Sequence, residues 1–178
     1  MTATATITPK GAHRVATGHP WIFRSDVVGV EGAEAGAVVA VRTTQGKTLG
    51  SAFYSPASLI TLRWLDANPQ PDLPALFAER LRRAIARREP CAAQGNAYRL
   101  VHGEADLLPS LIVDRYGDTL AFQTLSAGME RCKTMLIEQL NNQLKPAGIV
   151  ERNDVAVRQL EELPLANGAV AGSVPERI

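Results

Sequence analysis

The spacing of hydrophobic positions changes once along this chain. Residues 3–65 read as short strands: residues 36–44 (GAVVAVRTT) are rich in β-branched side chains, Gln45 and Gly46 carry turn chemistry, and residues 47–54 and 59–65 (LITLRWL) follow as further strands. Short strands at such close spacing predict a small barrel. Residues 10–24 (KGAHRVATGHPWIFR) interrupt the pattern with Gly11, Gly18 and Pro20, and read as a loop or short helical turn. Trp21 and Phe23 stand two apart, so a strand would turn both toward the barrel interior.

Beyond the three prolines of NPQPDLP (residues 68–74), the period becomes helical. A helix is expected over about residues 73–88, with Asp72 as its cap, Pro74 in its first turn and Pro90 as its stop. Residues 98–104, 111–116 and 119–124 read as strands, the last two joined by a tight turn at Gly117 and Asp118. Ser126 caps a second helix, whose stripe is Met129, Cys132, Leu136, Leu140 and Leu144. Residues 148–152 form a strand, 154–163 a short helix and 167–178 a tail without periodicity. The expected class is α+β: a small barrel (1–66), a linker and helix (67–92) and a compact α/β unit (93–178). Strand-period and helix-period patterning on either side of the prolines predict two separately packed units.

With 46% hydrophobic and 21% charged residues in 178, the composition excludes a disordered, collagenous or disulfide-scaffold chain. No apolar stretch approaches the ~18 residues that would span a bilayer, and the first residues (MTATATITPKGAHR) lack the apolar core of a signal peptide. A cytoplasmic protein without a membrane partner is expected. Cys91 and Cys132 form no CxxC and are expected to be inert thiols. The net charge of +1 is unevenly divided. Residues 1–63 hold six basic and three acidic side chains, a balance of +3, whereas residues 91–178 hold eight and eleven, a balance of −3. The front of the chain therefore has a mild electrostatic attraction for a polyanion.

Candidate chemistry gathers in two places. His102, Glu104 and Asp106, followed by Asp114 and Arg115, could serve as acid and base, as a His102–Asp106–Ser110 triad, as metal ligands, as a substrate-facing surface, or as a polar strand end fixed by Gly103 and Pro109. Alternation would place Tyr98, Leu100 and His102 on one face. In residues 10–24, cations stand beside aromatic rings, the combination single-stranded RNA recognition needs. Lys10, Arg14, His19 and Arg24 from this loop, with Arg63, are the candidate RNA contacts. Arg80, Arg82, Arg83, Arg87 and Arg88 crowd the linker helix, as a salt-bridged solvent face or a phosphate-tracking stripe. No GxGxxG or P-loop occurs. The nearest approach, residues 168–172 (GAVAG), lacks the Gly-x-Gly turn and the following helix of a nucleotide site.

YRLVHGEADLLPSLIVDRYGD (98–118), GHPWIF (18–23), SAFYSPASLITLRWL (51–65) and ERNDVAVRQLEEL (151–163) together resemble the N-terminal half of PUA-domain-containing, S-adenosylmethionine-dependent 23S ribosomal RNA cytosine-5 methyltransferases. The resemblance covers nearly the whole chain. It implies a PUA RNA-binding barrel, a central α/β domain that helps hold RNA, and, in the family, a C-terminal Rossmann-like domain with the cofactor site and a cysteine nucleophile. The first two have counterparts here; the Rossmann-like methyltransferase domain is expected to be absent, so no catalytic residue is carried over. Leu107 and Ser110 stand where the family often has glycine. The expectation is an RNA-binding, substrate-recognition portion, inactive alone, with ribosomal RNA as partner and a homodimer as its assembly. It holds no cofactor or metal, S-adenosylmethionine being implied for a full-length member. His102, Glu104, Asp106 and Arg115 are the candidate substrate-facing residues. A stand-alone enzyme using His102, Glu104 and Asp106, or a protein-interaction fragment, are the alternatives.

Overall fold

In the computed structural model, which describes residues 3–175, eleven strands form two sheets. The first holds β1 (Thr4–Ile7), β2 (Trp21–Ile22), β3 (Val27–Glu31), β4 (Val38–Thr43), β5 (Thr48–Tyr54) and β6 (Leu62–Asp66), in the order β2-β6-β5-β4-β1-β3. Only the β1–β4 pair is parallel. The sheet curls over Ile7, Ile22, Val39, Val41, Ala52 and Leu62, all fully buried, while its edge strands β2 and β3 do not pair with each other, so the expected barrel is an open, curled one.

The segment expected to be a loop begins with a helix, α1 (Pro9–Ala16). Thr8 caps it by accepting a hydrogen bond from the Gly11 amide, and Pro9 occupies the first turn, where its missing N–H costs nothing. Gly11 is a packing residue: a Cβ there would stand 3.2 Å from the Asp26 Cβ. The expected orientation of Trp21 and Phe23 is reversed. Ile22 takes the interior position, so its neighbours face outward, half-buried.

The second sheet runs β11-β10-β9-β8-β7, from β7 (Ala97–His102), β8 (Leu111–Tyr116), β9 (Thr119–Thr124), β10 (Gly148–Asn153) and β11 (Ala166–Gly172). One face is covered by α2 (Leu73–Arg87), which Asp72 caps, and by α4 (Ala127–Arg131) and α5 (Lys133–Leu144). Leu100, Val113, Phe122 and Ile149 of the strands meet Phe77, Leu81, Leu136 and Leu140 of the helices. The other face is open. Pro90 does not stop helical structure; it opens a further short turn, α3 (Glu89–Ala92). The helix capped by Ser126 breaks at Cys132 into α4 and α5, although its stripe stays on the core side. Residues 154–163 contain a 3-10 turn, Ala156–Glu161, instead of an α-helix. The expected tail forms β11, paired antiparallel to β10; its last positions, 176–178, lie outside the described residues. An edge strand of alanine, glycine and asparagine with a single valine has little side-chain pattern to betray it.

The two sheets are distinct and each has its own core, with two buried side chains of the first sheet reaching into the core of the second. Phe53 and Leu65 of the first sheet belong to the same core as Phe77 and Met129. Gly128 lets α4 rest on Phe53, because a Cβ there would lie 2.2 Å from the ring. Across this junction the Arg63 guanidinium donates to Glu161 at 2.7 Å, both side chains being buried, and the second Glu161 oxygen accepts from the Ala127 amide at the start of α4.

Two stability outcomes follow. Removing one partner of a buried ion pair strands the other charge, so Arg63→Ala should cost ~3–5 kcal/mol, whereas an apolar double replacement, Arg63→Met with Glu161→Leu, should recover most of it. Urea midpoints check this, and a single-variant loss under ~1 kcal/mol, the range of exposed pairs, would contradict it. Leu107 and Ser110 keep φ of 58° and 63°, the left-handed region in which a side chain is strained. Leu107 is 54% exposed, so Leu107→Gly should relieve that strain at little packing cost. The expected gain is up to ~1 kcal/mol after glycine's greater unfolded-state freedom is deducted.

Candidate nucleic-acid interface

The cations of the barrel separate into those exposed to solvent and those already held. Because β1 runs parallel to β4, with Thr6 opposite Arg42 and Ile7 opposite Thr43, the chain leaving β1 toward Lys10 emerges beside the β4–β5 turn. That turn is closed by Thr43, which donates its amide to the Lys47 carbonyl and accepts the Lys47 amide on its Oγ1. Lys10, Arg42 and Lys47 are all exposed at this end of the barrel, and none has an ion-pair partner among the described residues. Neither Arg42 nor Lys47 stands out in the sequence; only the register brings them to Lys10.

The other expected RNA contacts hold the protein together to varying degrees. Arg14 Nε lies 3.0 Å from the buried Asp26 carboxylate, and its guanidinium sits over the Phe23 ring at 5.1 Å. His19 Nδ1 accepts the Trp21 amide at 3.1 Å, and its ring meets Trp21 edge-on. Arg24 is exposed, yet it braces the neighbouring loop by donating to the carbonyls of Pro56, Ala57 and Ser58. Arg63 must be struck from the surface set. It is 6% exposed, spent on Glu161, Ser55 Oγ and the Ile60 carbonyl, because its strand position turns it into the junction.

The HGEAD stretch is a joint. After β7 a 3-10 turn, Gly103–Asp106, carries Glu104 to the barrel, where its carboxylate accepts from Trp21 Nε1 at 2.9 Å. Two motifs 83 residues apart thus meet in one hydrogen bond. Asp106 is held by Arg88 through both oxygens (2.6 and 2.7 Å), by Arg87 at 3.0 Å and by the His102 amide at 2.7 Å. Burial works to raise its pKa, but these hydrogen bonds and the two guanidinium charges outweigh it and keep the carboxyl below its ordinary value. His102 points away, exposed, with Nδ1 near Arg99. The expected alternation fails at a bulge between Arg99 and Val101, which buries Leu100 and Val101 together and leaves His102 beside Arg99. A triad or metal site is therefore not assembled here, and among the described residues no group of three His, Cys, Asp or Glu could hold a metal. Arg115 donates from Nε to the Gly117 carbonyl at 2.8 Å and fixes the β8–β9 turn.

Of the five arginines on and after α2, Arg80 and Arg88 turn inward, and the exposed Arg87 reaches back to the same carboxylate as Arg88. Arg80 donates to the Leu65 and Leu107 carbonyls, while Arg87 and Arg88 bind Asp106. Arg82 and Arg83 grip Glu79 on the solvent face and pull its carboxyl down to about 2. This supports the salt-bridged face over the phosphate stripe. Burial pushes the Cys132 thiol up to about 11, so it is protonated at neutral pH and no nucleophile.

In the second sheet, β9 leads into a helix capped by a side chain, α4, the kind of strand-to-helix junction that S-adenosylmethionine needs. At β9–α4 the helix start is filled by the Glu161 carboxylate and the Ser126 hydroxyl, and Gly128 lies flat against Phe53. The residues of this junction do not fit the cofactor.

The open face of the second sheet was not foreseen. Asp114, Tyr116, Ala121, Gln123, Val150 and Arg152 line a cleft of about 460 Å³ there. The outward positions of β8 to β10 signal such a surface, but only the sheet order makes them neighbours.

Comparison with known proteins matches residues 5–67 to a PUA-like domain. Ribosomal RNA large subunit methyltransferase I of Escherichia coli (strain SMS-3-5 / SECEC) is 40% identical over 161 residues, which are 88% of this chain and 41% of that protein. The protein of the same name from Klebsiella pneumoniae (strain 342) is 41% identical over 162 residues, 88% of this chain and 40% of its own. A SAM-dependent methyltransferase structure from Streptococcus mutans superposes with a TM-score of 0.82 at 16% identity, over 99% of this chain and 45% of that one, and SMU.776, a methyltransferase solved with SAH, gives 0.83 at 14% over 99% and 44%. These two show likeness of fold. The chain spans about 40% of the length of the curated relatives it matches. It is a mixed α/β chain with a PUA-like domain, homologous to ribosomal RNA large subunit methyltransferase I.

Proposed function

We propose that this chain is the RNA-binding, substrate-recognition portion of a cytoplasmic, S-adenosylmethionine-dependent ribosomal RNA methyltransferase that modifies cytosine at C5. The observation that carries the reading is the gathering of Lys10, Arg42 and Lys47 at one end of a PUA-like domain, in a chain homologous to ribosomal RNA methyltransferases. The choice of cytosine C5 rests on the sequence resemblance. In this reading Lys10, Arg42 and Lys47 meet phosphates, with Arg24 and the half-buried His19 and Arg14 at the margin. Such contacts position RNA without selecting a base. The Trp21–Glu104 bond and the Arg63–Glu161 pair hold the barrel against the α/β unit, so RNA caught by one is presented at a set angle to the other. His102, Glu104, Asp106 and Arg115 act as positioning residues, and the transfer chemistry is assigned to the part of the relatives that this chain does not match.

RNA affinity measured across a salt series tests the reading. The wild type should bind in the ~10⁻⁴ to 10⁻⁶ M range with a log-log slope of roughly −2 to −3. Lys10→Ala with Lys47→Ala should flatten that slope by about 1.5–2, while Arg82→Ala with Arg83→Ala should leave it unchanged. The reverse result would move the RNA to the helix, and a wild type without salt dependence would end the proposal. Calorimetry of this chain with S-adenosylmethionine should show no binding; a micromolar complex would overturn the assignment of the cofactor elsewhere.

A further inference from the structure

The open face of the second sheet has a relief set by strand register. Across neighbouring strands one row reads Arg99, Asp114, Ala121, Val150 and Ala169. Its three small members lie side by side on β9, β10 and β11, making a shallow floor about 9.5 Å wide from two interstrand spacings. Tyr116, two residues along β8 from Asp114 and 42% exposed, stands on one side of this floor. Gln123 and Arg152 stand on the other, joined by a hydrogen bond from Gln123 Nε2 to the Arg152 carbonyl at 3.0 Å. The cleft of about 460 Å³ falls within the ~300–1,000 Å³ of small-ligand sites.

The charges around the cleft are neutralised in place. Asp114 accepts from Arg99 at 2.9 and 3.1 Å, and Asp154 accepts from Arg152 at 3.2 and 3.4 Å. An anion would find no unopposed cation here, and a cation no unopposed carboxylate. What the surface offers is a half-exposed aromatic ring, a thin apolar floor and an amide whose carbonyl and second N–H can pair with a donor–acceptor edge. A neutral, flat, hydrogen-bonding ring satisfies all three. We infer that this cleft binds an unstacked nucleobase of single-stranded RNA, with Tyr116 as the stacking platform and Gln123 reading the base edge. The inference rests on the proposed RNA-binding function and extends it from phosphate contacts on the barrel to a base contact on the α/β unit. Being electrically balanced, the cleft should respond little to salt, which separates it from the barrel end.

Two measurements on the full chain test it. In the first, the isotopically labelled protein is titrated with free cytidine, uridine, adenosine and guanosine up to ~10 mM, followed through the methyl signals of Ala121 and Val150. At least one nucleoside should shift these signals equally at low and high salt; Tyr116→Ala should abolish the shifts and Tyr116→Phe keep them. In the second, short single-stranded RNA should bind Tyr116→Ala ~5–150-fold more weakly than wild type with an unchanged salt slope, and Lys10→Ala with Lys47→Ala should flatten the slope without altering the nucleoside shifts. Methyl signals that ignore every nucleoside, equal RNA affinity of wild type and Tyr116→Ala, or a salt slope that changes with Tyr116, would each overturn the base site. A chain whose RNA binding ignores salt while nucleosides still shift the cleft would instead defeat the barrel reading alone.

Discussion

One carboxylate joins the three parts of this chain. Glu161 sits on a 3-10 turn near the C-terminus, and its two oxygens face different partners: Arg63 on the barrel's β6 and the amide that opens α4. A carboxylate removed from water must be matched at both oxygens, and here each match ties a different element. Nearby, Arg158, fully buried, reaches Glu130, the Thr124 carbonyl and hydroxyl, and the Pro164 carbonyl, so the same turn is fastened to the end of β9. The Ala156–Glu161 turn thus fastens a junction whose other members lie 98 residues earlier on β6 and 34 earlier at the start of α4.

This economy of charge also shapes the functional surface. Most arginines in the chain are drawn into internal pairs: Arg14 with Asp26, Arg63 with Glu161, Arg88 with Asp106, Arg99 with Asp114. Their attraction for a polyanion is largely cancelled within a few ångströms. The mild positive balance of the front of the chain therefore falls on the few cations without an ion-pair partner among the described residues: Lys10, Arg42 and Lys47, where β1 and β4 finish together, and Arg24, which binds only loop carbonyls. In the proposed function, a surface built this way would hold RNA by a small number of phosphates and leave discrimination to shape and to bases.

Much of the architecture was legible from local signals. Asp72 before an apolar helical stripe, Ser126 before another, and Gly117–Asp118 between two alternating runs each act over a few residues, and each marks the element it predicts. The left-handed turns at Leu107 and Ser110 were less legible, because their carbonyls are anchored by residues distant in sequence, Leu107 by Arg80 and Ser110 by the Leu125 amide. Gly11 read as a breaker because a sequence shows its missing side chain, not the Asp26 Cβ that the missing side chain accommodates.

Sequence by itself determined the strand-then-helix order, the helix caps, the uneven charge and the two groups of candidate residues, since these depend on neighbours within about one helical turn or two strand positions. Tertiary structure alone decided their meaning. It buried Arg63 and left Arg42 exposed, although both are arginines in strands of one sheet, because strand register selects which face meets the second unit. It turned Trp21 outward to bind Glu104, and it brought Tyr116, Gln123 and Arg152 around one cleft. The physical reason is the same each time: a charged or aromatic side chain acts through its partners in space, and the pairings that supply them here span 15 to 98 residues.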